Sequence, residues 1–193
     1  PSSTKLKNVF KMMDDMGVGS EEKALVLSKK FKLDVNKKWE KLSTGYRTIF
    51  KDILGLASNR EYVFFDEPIL GLDANHRELF YEELLASFSP DRCFVVATHL
   101  IEEISPLVDK VIIIDQGKLL REGDKDTLLC NVKMVSGEKD KVEKAIEGKK
   151  ILSRSTILGQ AKVMVEGEVE EEGVKVENVD LQRYFVEMTK DGE

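Results

Sequence analysis

The chain has 193 residues, 41% of them apolar and 34% charged, with a net charge of −6 and two cysteines. That length can bury a real core in one or two domains. The acidic balance argues against binding nucleic acid or anionic lipid mainly by charge. No apolar run nears the roughly 18 residues of a membrane helix, and no signal peptide is visible. Cys93 and Cys130 read as small buried hydrophobes in a reducing, cytosolic compartment rather than as a disulfide or metal pair.

Lys5 to Met16 places Leu6, Val9, Phe10, Met13 and Met16 at spacings of three and four, which predicts an amphipathic helix ended by Gly17 and Gly19. Ser20 then caps a second helix, Glu21 to Phe31, with acids in its first turn. Leu33 to Trp39 is a short linker packing one aromatic. A third helix runs from Thr44 to Ser58, apolar at Ile49, Ile53, Leu54 and Leu56.

The stretch Tyr62–Phe65 has the length and composition of a strand buried on both faces. It ends in two adjacent acids, Asp66 and Glu67, and Pro68 stops it. In open parallel sheets ligands gather at the carboxyl ends of strands. Two acids there suit a metal ligand beside a general base. Gly71 permits a turn, and Asp73 can cap the helix Ala74–Ser89, on which His76 reads as an ordinary exposed residue. After Pro90, the strand Arg92–Thr98 leads to the polar pair Thr98-His99. Ile101–Leu107 reads as a short helix. Val111–Asp115 and Lys118–Glu122 form a hairpin through Gln116-Gly117 at the edge of the sheet. Alternation of buried strands and helices predicts an α/β layer with a largely parallel sheet.

Beyond residue 130, short alternating runs (Val132–Val135, Ile151–Ile157, Lys162–Val165) flank a helix at Lys139–Glu147. Glu166–Glu172 reads as an exposed acidic loop and Asp180–Thr189 as a closing helix. This predicts a small α+β accessory domain.

Three segments, Leu42-Ser43-Thr44-Gly45-Tyr46, Tyr62–Asp66 with Glu67, and Phe94–His99, in this order and spacing resemble the ATP-binding cassette ATPases of membrane transporters. The first resembles the family's signature motif and the second its Walker B strand with the catalytic glutamate. Gly71-Leu72-Asp73 is similar to its D-loop and His99 to its switch histidine. Thr44 and Tyr46 depart from the glycine and glutamine usual in the signature. The resemblance covers about residues 4 to 128. It implies the second half of a RecA-like P-loop NTPase domain: a helical signature subdomain at 1–45, the ATPase core at 46–128, and the accessory domain at 129–193.

No G-x-x-x-x-G-K-[ST] phosphate loop occurs; Gly17–Lys23 and Gly148-Lys149-Lys150 come nearest. The family carries that loop ahead of the signature, so the chain is expected to be the C-terminal portion of a subunit, inactive alone. Pro1 without a preceding Met agrees with that expectation. The resemblance further implies ATP and Mg²⁺ as cofactors, with Asp66 holding the metal and Glu67 and His99 catalytic. Ser43, Gly45 and Asp73 would bind nucleotide across a dimer. The implied partners are a transmembrane permease and a second ATPase subunit, with no nucleic acid, on the inner face of the cell membrane. Two other readings stay open: the C-terminal ATPase half of a chromosome-maintenance or repair protein, and a non-catalytic binding module. The first is disfavoured by the short helices before Leu42, the second by Glu67 and His99.

Overall fold

The computed structural model describes residues 4–190; Pro1 lies outside the described residues. The chain divides into two compact units, Pro1–His99 and Leu100–Glu193.

In the first unit, α1 (Leu6–Asp15), α2 (Glu21–Lys30), α3 (Thr44–Ala57) and α4 (Ala74–Ala86) surround a parallel pair of strands, β1 (Tyr62–Asp66) and β2 (Cys93–Ala97). Three of the helices start on a capping side chain. Ser20 accepts the Lys23 N–H on α2, Ser43 the Tyr46 N–H on α3, and Asp73 the His76 N–H on α4. Each satisfies a donor that the first turn leaves without a partner. The apolar stripes predicted on α1 and α3 are the buried ones: Leu6, Phe10 and Met13 on the first, Ile49, Phe50, Ile53 and Leu56 on the second. Trp39, in a short 3₁₀ turn, lies 5.8 Å from the Phe50 ring, and Phe10 lies 5.4 Å from it.

β1 is not buried on both faces. Val63 and Phe65 face the helices, where Phe65 meets the Phe80 ring edge-on at 5.6 Å. Tyr62 and Phe64 point the other way and are 66% and 75% exposed. An apolar run reads the same whether one face or both are covered, and within this unit only one is. Cys93 is paired with Tyr62 on the open face, so it is exposed rather than buried; Cys130 is exposed too. Beneath β1, α3 comes so close that a methyl group at Gly55 would stand 2.6 Å from the Phe65 ring. Arg92 fastens the approach to β2 by donating to the carbonyls of Ser87 (3.0 Å) and Ser58 (2.9 Å).

The second unit opens with a short helix, α5 (Ile101–Ile104), and the antiparallel hairpin β3 (Lys110–Asp115) and β4 (Lys118–Asp124). Gln116 and Gly117 both take positive φ at its turn, as a two-residue hairpin loop requires. After α6 (Lys125–Leu129) come β5 (Val132–Glu138), α7 (Lys139–Ala145), β6 (Lys150–Ile157), β7 (Gln160–Glu166), β8 (Lys175–Asn178) and α8 (Leu181–Thr189). The four last strands form an antiparallel sheet in the order β6-β7-β5-β8. Parallel pairing among the described residues is thus confined to β1 and β2, where a largely parallel sheet was expected.

Period-2 alternation gives the four-stranded sheet two apolar faces. Val135, Val163 and Val165 pack on one side with Val142 of α7 and Ile146. Met134 and Met164 pack on the other with Tyr184 of α8 and Ile113 of β3. The hairpin therefore packs within the second unit. The acidic stretch after β7 is not wholly a solvated loop either: Val169 is buried in the first of these clusters.

Candidate functional site

β1 delivers Asp66 and Glu67 to its carboxyl end, and β2 delivers Thr98 and His99 beside them. The ladder runs one residue past β1, since the Glu67 N–H donates to the Ala97 carbonyl at 2.9 Å. Glu67 holds φ at 48°, in the left-handed region, a strained conformation for a residue with a side chain. Its carboxylate accepts from Thr98 Oγ1 at 2.9 Å, from the His99 N–H at 3.1 Å and from His99 Nδ1 at 2.7 Å. Burial pushes the Glu67 pKa up, but the bonds from His99 and Thr98 outweigh it and the net shift is downward. The group is an ionised acceptor. An ionised carboxylate offers about four lone-pair sites and three are taken, so one is left for a water.

An ionised carboxylate cannot donate, so His99 Nδ1 carries the proton in that contact. Its Nε2 faces solvent on a ring 63% exposed. That nitrogen donates to an anion only when the ring is doubly protonated, and accepts otherwise.

Asp66 is exposed and its carboxylate makes no hydrogen bond or ion pair among the described residues. No cluster of three or more metal-ligating side chains occurs among them. This donor set does not suit a metal caged by protein. It does suit Mg²⁺, which keeps waters and takes one or two carboxylates along with phosphate oxygens.

Ser43, Gly45 and Asp73 gather around a second locus. The Ser43 hydroxyl accepts from Tyr46 N–H at 3.4 Å, which leaves its own proton free to donate outward. Thr44 and Gly45 stand in the first turn of α3, where N–H groups have no intrahelical partner and favour an anion. Lys32, Lys37 and Lys41 line a cleft of about 290 Å³ next to Ser43 and Tyr46, adding positive charge. Gly45 faces the loop before Asp73, where a methyl group on it would be 2.7 Å from the Gly71 carbonyl oxygen. Thr48 donates from Oγ1 to the Leu70 carbonyl at 3.1 Å, clasping α3 to the same loop. The closeness of backbone at Gly45 is thus already used within the chain.

Asp73 is 63% exposed and bonded twice to His76: from the backbone N–H at 3.0 Å and from ring Nδ1 at 2.9 Å. The His76 backbone bond, then its side-chain bond, lower the Asp73 pKa. His76 is not the ordinary exposed residue expected. Its side chain is 22% exposed, stacked on Phe31 at 6.3 Å and edge-on to Tyr46 at 6.2 Å. Sequence reasoning passed over Thr48, His76 and the carboxylate bond of Thr98. The one local signal was the i, i+3 spacing of Asp73 and His76, a common capping arrangement.

No protein-family model matches the chain. It is 32% identical over 76 residues to the energy-coupling factor transporter ATP-binding protein EcfA2 of Mycoplasmoides gallisepticum, covering 39% of this chain. The chain spans 24% of that relative's length. Among solved structures, an ATP-binding subunit of an ABC transporter superposes with a TM-score of 0.60 at 17% identity, over 66% of this chain and 56% of that one. A protein assigned to cobalt transport as an ATP-binding component gives 0.62 at 19%, over 98% and 65%. An archaeal ribosome recycling factor gives 0.52 at 20%, over 65% and 26%. The α/β fold is therefore that of the cassette ATPases, and it is also found outside transport. Sequence likeness over those 76 residues and the order of the motifs agree with the fold, and the chain is similar to the ATP-binding cassette ATPases of membrane transporters.

Proposed function

We propose that this chain is the signature-to-switch portion of a nucleotide-binding subunit that couples ATP binding and hydrolysis to transport. The observation that carries the reading is the Glu67 carboxylate, ionised at the strand end, with Thr98 and His99 on one side and the free Asp66 carboxylate next in sequence. Phosphoryl transfer to water needs charge neutralisation and a positioned nucleophile. Asp66 would hold Mg²⁺, which would neutralise charge on the phosphates, and Glu67 would accept the proton of the attacking water. His99 would orient that water and, when doubly protonated, donate from Nε2 to the γ-phosphate.

Ser43, the first N–H groups of α3 and the neighbouring lysines receive the phosphates of a nucleotide bound by a second copy or a related subunit. Asp73 stands at that interface. The exposed Met12 and Met16 on and after α1 suit docking to a permease. That assembly places the subunit on the cytoplasmic face of a membrane; no described helix is long and apolar enough to cross one. Within this reading residues 1–45 are the helical subdomain, 46–128 the ATPase core and 129–193 an accessory domain.

The test is calorimetry together with turnover. The chain alone should bind ATP weakly and hydrolyse none. Joined to a phosphate-loop half, it should hydrolyse ATP with Mg²⁺ and lose that activity in Asp66→Asn. Tight ATP binding by the chain alone, or Mg²⁺-independent turnover by the joined protein, would sink the proposal.

A further inference from the structure

Capping α4 needs only one oxygen of Asp73 and a backbone N–H that any residue at position 76 supplies. The structure shows more. The second oxygen, Oδ2, is held by His76 Nδ1 at 2.9 Å, so both oxygens have partners and the plane of the carboxylate is fixed. The acid is mostly open to solvent while the imidazole that holds it is mostly covered. What covers the imidazole comes from two other helices. Phe31, fully buried, terminates α2, and its ring lies nearly parallel to the imidazole at 10°. Tyr46, in the first turn of α3, meets it at 70°. Both separations lie within the range of attractive ring pairs. The end of α2, the start of α3 and the start of α4 thus meet on one ring, and that ring grips an exposed acid.

We propose that His76 is a positioning residue for Asp73: wedged between Phe31 and Tyr46, it sets the orientation in which the Asp73 carboxylate is offered to a partner subunit. A shift of the α2 end or of the signature turn then moves that carboxylate. The inference rests on the reading of Asp73 as part of the subunit interface. It also gives the unusual Tyr46 of the signature a role, as one wall of the imidazole slot.

Two variants separate the hydrogen bond from the packing. His76→Phe keeps a ring in the slot and removes the donor. His76→Asn loses the ring but places an amide N–H near the position of Nδ1. In this chain by itself, carbon-13 NMR of the Asp73 carboxyl should show its titration moving to higher pH in His76→Phe and staying low in His76→Asn. In the joined ATPase, His76→Phe should lower kcat by about 10- to 100-fold, the usual scale for losing an orienting partner, with KM for ATP unchanged. His76→Asn should recover most of that loss. An unmoved Asp73 titration in His76→Phe, or turnover at the parental rate, overturns the proposal. So does a His76→Asn variant as impaired as His76→Phe, which would mean that packing alone matters. If the parental ATPase proves inactive, the functional reading fails, while the Asp73 titration still decides whether His76 holds that acid.

Discussion

A methyl group on Gly45 would stand 2.7 Å from the Gly71 carbonyl oxygen, closer than real Cβ atoms come to any neighbour. The obstacle is backbone rather than the end of a flexible side chain, so it cannot step aside cheaply. Gly45→Ala should cost about 1–3 kcal/mol, the scale of an overpacked contact, and displace the 70–72 loop. Urea unfolding reads the first effect, and amide shifts of Gly71 and Leu72 the second.

Thr48 tests the same clasp from the other side. Thr48→Val removes the bond to the Leu70 carbonyl while preserving shape, and should cost about 1 kcal/mol. Thr48→Ser, which keeps the hydroxyl, should lose less. A loss in Thr48→Ser with none in Thr48→Val, read from chemical denaturation, would show that the methyl group and not the bond holds the loop.

Glu67→Gln probes the base. The amide carbonyl can still accept from His99 and the amide nitrogen can turn toward Thr98 Oγ1, so the local fold should survive. It cannot take a proton from water, and turnover in the joined ATPase should fall by about 10²–10⁴-fold. With one negative charge gone beside the γ-phosphate, an ATP-bound dimer that depends on Ser43 should accumulate on size-exclusion chromatography. Asp66→Asn should give no such dimer. Parental turnover in Glu67→Gln would remove Glu67 from the mechanism.

Asp52 lies buried on α3 with Oδ2 lacking a partner. Burial raises its pKa from 3.8 to about 8, against an opposing pull from Lys51. A folded-state pKa above the unfolded one gives stability that is full below the unfolded value and is lost as pH climbs through the folded one. Between about pH 4 and 8 this group should therefore erode stability by up to about 1.4 kcal/mol per pH unit. Asp52→Asn mimics the protonated acid and should flatten that slope, gaining on the parent most at pH 8. Urea midpoints at pH 5 and pH 8 for both proteins decide it. Glu67 has the opposite sign, its hold being present above its unfolded pKa of 4.5 and lost as pH falls through its lowered folded value.

The capping residues Ser20 and Asp73 were legible in the sequence because a cap is a contact between near neighbours, whereas Ser43 and Asp180, which cap α3 and α8, were not read as caps. So was the strand ending in two acids. What sits on the far face of β1 was not, because Phe64 looks equally apolar with or without a cover. The bond between Glu67 and His99 joins two strands, and the slot around His76 joins three helices, so no local pattern encodes either. β8 escaped notice for a different reason: Lys175-Val176-Glu177-Asn178 is polar at both ends and owes its place to pairing with β5.

Helix α3 meets its surroundings through glycines near both ends, Gly45 against the Gly71 carbonyl and Gly55 against the Phe65 ring. At 1.5 Å per residue these points are about 15 Å apart along the axis. Slide the helix either way and larger side chains would be driven into both gaps at once. The helix behaves as a dead bolt, able to tilt with its neighbours but not to travel along its own axis. In the proposed assembly its first turn would face the neighbouring subunit's nucleotide, while its other end abuts the strand that leads to Glu67. On that proposal, any motion that closed the first turn of α3 onto a nucleotide would carry the β1 strand with it, and the distance between Ser43 and Glu67 would be set inside one subunit before a partner arrives.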